Sequence, residues 1–155
     1  MSNSMKGLVS GLVATLVVSG LVLLKTSLNF APEFGLIRLL ARLGSITPVQ
    51  AWMDHFIIGV VIWGLIFAAY DSTAGKGNYI VRGLVLGVVA WLVMMVAFMP
   101  IVGGGLFGHK LGIWAAVVPL IYHIVYGAAL GLTYGALSTW VPAKAQSPEV
   151  TPQKT

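Results

Sequence analysis

The feature that most constrains this chain is the spacing of its charges. Four long stretches, Gly7–Leu24, His55–Tyr70, Gly83–His109 and Leu111–Ala143, contain no Lys, Arg, Asp or Glu at all. A helix needs about 20 mainly apolar residues to cross roughly 30 Å of hydrocarbon, so the pattern predicts four crossings. The expected fold is all-α: a polytopic membrane protein with four transmembrane helices. Composition agrees, with 9 Lys and Arg and 4 Asp and Glu in 155 residues and a mean hydropathy of +0.94, whereas soluble domains carry about a quarter charged residues. Four crossings leave too little chain for a separate soluble domain. The expected organisation is a transmembrane domain over 1–140 and a disordered polar tail over 141–155, where three prolines fall and no apolar period runs.

The first span is expected over Gly7–Leu28, with Lys25 reaching toward lipid headgroups. Lys6 ahead of an apolar run resembles a secretory signal, but no small-x-small cleavage site follows, so an uncleaved first helix is expected. Pro32 and Glu33 then open, and Gly44 closes, a short segment in which Leu36, Leu39, Leu40 and Leu43 recur at helical spacing while Arg38 and Arg42 share another face. That pattern predicts a short interfacial helix after the first span, its arginines at lipid phosphates. The second span is expected from Pro48 to near Tyr70 and the third from Arg82 to Met99, closed by Pro100. A glycine-rich mobile or re-entrant loop is expected over Ile101–Gly112. For the fourth span two starts are open, Gly112 and Pro119; the second is preferred, with Trp140 anchoring its end.

The two halves read alike. Lys6-Gly7-Leu8-Val9-Ser10-Gly11 is matched by Arg82-Gly83-Leu84-Val85-Leu86-Gly87, and His55-Phe56-Ile57-Ile58-Gly59 by His123-Ile124-Val125-Tyr126-Gly127. Two crossings per half imply two pseudo-symmetric hairpins about an axis along the membrane normal. A start at Pro119 places His123 at the depth of His55, as this symmetry asks. Both termini share a side, with Lys6, Lys76, Arg82, Lys144 and Lys154 against Lys25, Arg38, Arg42 and Lys110 opposite. The imbalance leans toward cytoplasmic termini.

The chain has no cysteine, which removes disulfides, thiolate nucleophiles, Cys-ligated zinc and iron–sulfur clusters. Its pI of 9.8 comes from basic residues scattered singly at helix ends and loops, a pattern that meets lipid phosphates rather than nucleic acid. Gly7 and Gly11, Gly83 and Gly87, and Gly127, Gly131 and Gly135 repeat every fourth residue. Such rows let helices approach closely, as a dimer seam or as packing inside the bundle. His55 and His123 are the leading candidate site residues, each with a glycine one turn on that leaves room for a flat ligand or a close helix. Two imidazoles at matching depth suit bis-histidine haem b or a shared metal, but histidines near a helix entry more often just hydrogen-bond a backbone carbonyl or water, and a proton relay is the remaining alternative. Met95 and Met99 lie one turn apart, a spacing on which thioethers hold Cu(I), though bilayer methionines commonly just pack. Asp54 reads as an interfacial cap.

The run His55-Phe56-Ile57-Ile58-Gly59-Val60-Val61-Ile62-Trp63-Gly64, the turn Leu106-Phe107-Gly108 and His123-Ile124-Val125-Tyr126-Gly127 resemble a domain-of-unknown-function family of small bacterial four-helix membrane proteins. The resemblance covers Gly7–Leu137 and implies four spans in a bacterial inner membrane, with no activity or catalytic residue attached. No nucleophile, base and orienting group stand at catalytic spacing. The expectation is a non-enzymatic accessory or assembly subunit of a larger membrane complex, or a homo-oligomer. The alternatives are a haem b electron-transfer protein on His55 and His123 and, more weakly, a transporter or Cu(I) handler on Met95 and Met99.

Overall fold

A computed structural model describes residues 1–30, 35–75 and 77–139. Among these the chain is all-helical, with four helices long and apolar enough to cross a membrane. They are α1 (Asn3–Ser27), α3 (Pro48–Thr73), α4 (Tyr79–Ile101) and α5 (Trp114–Thr139). The short helix α2 (Leu36–Gly44) precedes α3. Local chemistry sets the boundaries. The Ser2 hydroxyl accepts from the Met5 amide, starting α1 ahead of the expected Gly7. Thr47 and Gln50 form a reciprocal capping box ahead of Pro48, and Asn78 accepts from the Ile80 and Val81 amides to start α4 before Arg82.

The preferred start of the fourth span at Pro119 is corrected: α5 begins at Trp114 and carries Pro119 within its second turn. Pro119 removes the bond to the Ala115 carbonyl one turn back, and beside it the Trp91 indole N–H donates to the Ala116 carbonyl at 3.1 Å, tying α4 to this turn. The glycine-rich loop folds into compact turns, with positive φ at Gly103, Gly105, Phe107, Gly108 and Gly112 and a 3-10 stretch over Leu106–Leu111. Pro32, Glu33, Lys76, Trp140 and the tail over 141–155 lie outside the described residues.

The small residues decide how the helices pair. The buried face of α1 is Gly7, Ser10, Gly11, Ala14, Thr15, Val18, Ser19 and Val22. A Cβ on Gly11 would come within 2.9 Å of the Val60 carbonyl, and one on Gly64 within 2.7 Å of the Gly7 carbonyl, so α1 and α3 touch backbone to backbone. In the second half Gly83 meets Gly127 and Gly87 meets the His123 carbonyl, while Gly131 and Gly135 receive Tyr79. Ser10, Thr15 and Ser19 return their hydroxyls to carbonyls one turn back, at 2.7, 2.7 and 2.8 Å, so the polar atoms on this face are satisfied without water.

The two halves do not superimpose contact for contact. Gly7 meets Gly64 and Ala68, whereas its counterpart Gly83 meets Gly127 and Gly131, more than one turn short of the matching positions. Wide π-helical turns run over Ile57–Trp63 in α3, while α5 is regular at its counterpart. A second π segment spans Met94–Phe98 in α4. Most consequentially, α1 packs along α5, but the corresponding pair α3 and α4 meet mainly at their connecting turn. The gap left between α3 and α4 positions the candidate site.

Candidate functional site

Every long helix and α2 contribute to one cavity of about 150 Å³. Thr15 and Val18 come from α1, Ile58, Gly59 and Trp63 from α3, Ala90, Met94 and Phe98 from α4, and Pro119, Tyr122 and Tyr126 from α5. Both π segments border it. An inserted residue widens a helix locally and re-aims the side chains beside it, which is why such turns recur at functional sites. The cavity is partly open, and α2 lies over it. Leu39 is buried, and Leu36, Leu40 and Leu43 line the cavity with it. The apolar face expected to enter lipid is thus turned onto the bundle, while Arg38 and Arg42 occupy the exposed face.

His55 and His123 both line this cavity. They are the eighth residue of α3 and the tenth of α5, a difference in depth of about 3 Å at 1.5 Å per residue. Each ring has one hydrogen bond to the protein. The Ser19 hydroxyl has one hydrogen, given to the Thr15 carbonyl at 2.8 Å. Its 3.1 Å contact with His55 Nε2 joins α1 to α3. His123 Nδ1 lies 2.7 Å from the Pro119 carbonyl, which can only accept. His123 donates to Pro119 from Nδ1, which leaves Nε2 of the neutral ring as a lone pair, and no hydrogen bond is made by His55 Nδ1 among the described residues. Tyr122, 7% exposed, also lines this space, but its hydroxyl oxygen is sealed in the surrounding packing and has no partner among the described residues. The Tyr126 hydroxyl instead donates to the Gly59 carbonyl at 2.6 Å, tying α5 to the π segment of α3.

A haem does not fit these residues as placed. Pockets for drug-sized ligands span about 300–1,000 Å³, well above 150 Å³. The room beside the two glycines is taken by close helices: Gly59 abuts Thr15 and Gly127 abuts Gly83. Among the described residues no group of three or more His, Cys, Asp or Glu could hold a metal.

The other expected site residues lie elsewhere. Met95 and Met99 are fully buried outside the cavity lining, and Met99 packs against the turns at Gly104 and Gly108; Met94 and Phe98 are the members of that stretch that reach the cavity. Asp54 is half-buried near the start of α3 and is not among the lining residues. Ser19, Tyr122 and Tyr126 escaped the sequence reading. The signal was present in Tyr122 and Tyr126, one turn apart and flanking His123.

No curated protein and no solved structure matches the chain. The profile of a family described as a family of unknown function, DUF6789, matches residues 1–144. With nearly its whole length covered, the chain belongs to that family.

Proposed function

We propose that this chain is a non-enzymatic integral membrane protein that holds a small apolar ligand inside its helix bundle. The observation that carries the reading is the cavity itself, built by all four long helices and roofed by the leucines of α2. Dry cavities of this size lined by apolar side chains bind molecules such as benzene or xenon. Each imidazole is held by one structural bond, to Ser19 or to the Pro119 carbonyl, and the rest of the lining is largely apolar, which supports binding over catalysis. The setting we propose is a bacterial inner membrane with both termini cytoplasmic, and the likeness of the halves is read as a duplicated hairpin whose second copy drifted in register. Service as an accessory subunit or homo-oligomer would rest on the outer apolar faces, where Leu16 is 53% and Leu132 55% exposed. The glycine rows are spent inside the bundle and do not support it.

The test is to purify the protein in detergent and titrate an apolar fluorescent probe, aminoanthracene, against it. Saturable binding is expected, together with its loss in Ala90→Phe, which fills the cavity from α4; helix content and monodispersity of the variant show that it remains folded. Equal binding by both proteins, or none by either, would contradict the reading.

A further inference from the structure

The cavity is open on one side, and the rim of that opening bears on what enters. Leu40 and Leu43 of α2, Ile58 and Trp63 of α3 and Phe98 of α4 line it and keep surface, Phe98 41% of its own. His55 and His123 are half-buried beside them, each already bonded to Ser19 or to Pro119. Inside, the Thr15 and Tyr126 hydroxyls donate to the Gly11 and Gly59 carbonyls. A passage to water would be rimmed by polar groups, whereas this rim and lining suit hydrocarbon. The leucines of α2 cover one end of the gap, and at the other end α3 and α4 meet at their connecting turn. What remains open is the side, toward the bilayer. Along α4 the lining runs from Ala90 to Phe98, about 5–17 Å before the helix end at Ile101 at 1.5 Å per residue. One leaflet supplies about 15 Å of hydrocarbon. The cavity thus lies at the depth of the chains whose headgroups are on the α2 side. A volume of about 150 Å³ takes about six carbons, the size of a benzene molecule.

We infer that the gap between α3 and α4 is a lateral binding site for one acyl chain of an anionic phospholipid from the leaflet on the α2 side. The chain crosses the rim between Ile58, Trp63 and Phe98, and about six of its carbons fill the cavity. Its headgroup stays at the level of α2, and the charges of that end set its sign. Among the described residues Lys25, Arg38, Arg42 and Lys110 stand there against the carboxylate of Asp54, and Arg38, Arg42 and Lys110 are exposed. Each cation near a membrane surface favours an anionic lipid by about fivefold. A free apolar solute arriving from the bilayer competes with the chains that surround the rim at far higher concentration, so the occupant is a lipid chain. This inference rests on the ligand-holding reading above and names its ligand.

The experiment is fluorescence quenching of Trp63, on the cavity wall, in phosphatidylcholine nanodiscs in which a minor share of the lipid carries bromine midway along its acyl chains. Bromine quenches an indole only near contact, and the contribution of Trp63 is the difference between the native chain and Trp63→Phe. Brominated phosphatidylglycerol is expected to quench Trp63 about five times as effectively, lipid for lipid, as brominated phosphatidylcholine. High salt, or the double variant Arg42→Gln with Lys110→Gln, is expected to remove most of that advantage. Ala90→Phe and, at the half-buried rim, Leu40→Phe fill the gap, and each is expected to lower the quenching by phosphatidylglycerol to that of bulk lipid. Equal quenching by the two lipids overturns the anionic headgroup. Quenching that neither filling variant lowers overturns the bound acyl chain, because Trp63 then meets bulk lipid alone. In either case saturable aminoanthracene binding in detergent leaves the ligand-holding reading standing, and its absence overturns that reading together with this one.

Discussion

Arg82 is nearly buried, at 7% exposure, and its guanidinium is held by Asp71 and by the carbonyls of Ala74 and Gly75. The group thus closes the C-terminal end of α3 from the first turn of α4, where a cation also complements the helix dipole. Removing one partner of a buried ion pair leaves the other uncompensated. Arg82→Ala is expected to cost about 3–5 kcal/mol, measured by unfolding in mixed micelles, and Asp71→Ala a similar amount. The double variant is expected to cost less than the sum of the two. Lys6 plays a lesser part nearby, 3.4 Å from the Ser138 hydroxyl and 6.0 Å from the Tyr134 ring centre, joining the start of α1 to the end of α5. Neither pairing was legible in the sequence, because an ion pair across a polar turn has no period. His55 and His123 were legible as rare polar groups in apolar runs. Their partners were not, since Ser19 lies on a different helix and a side-chain bond to a backbone carbonyl one turn back leaves no mark in the sequence.

At the scale of elements, the glycine rows determine which helices touch. A side chain at Gly83 would overlap the backbone of Gly127, whereas one at Gly20 would meet nothing within 4 Å. Gly83→Val is expected to separate α4 from α5 at a cost of about 3 kcal/mol or more. Gly20→Ala is expected to be neutral or to stabilise by up to about 1 kcal/mol through helix propensity. Mixed-micelle unfolding of the pair checks both, and comparable losses would contradict the packing described. The spacing of four in the sequence announced close approach but not the partner, which depends on register. The π segments at Ile57–Trp63 and Met94–Phe98 had no sequence signature at all, because π and α turns share composition and differ only in which carbonyl an amide reaches. The amphipathic pattern of α2 was plain. Which surface its leucines cover was not, since an apolar face suits lipid and a cavity between helices equally well.

For the whole molecule, charge spacing was sufficient to give four long apolar helices, because length and hydropathy are local properties. The cavity was out of reach. It arises from a departure from the repeat: α1 closes on α5, and α3 does not close on α4. Orientation is open to a direct check because the chain has no cysteine. In intact bacterial cells a membrane-impermeant thiol reagent is expected to label Ser45→Cys, between α2 and α3, and not Ser72→Cys, at the end of α3. The reverse pattern would place the termini outside.

The most direct measurement of the central claim, a bundle built around one ligand-sized apolar cavity, is diffraction from crystals of the detergent-solubilised protein under xenon pressure. An anomalous xenon peak, or density for a molecule already bound, is expected among Leu39, Trp63, Met94 and Tyr122. Closed packing of α3 against α4, with neither xenon nor ligand at that position, would contradict it.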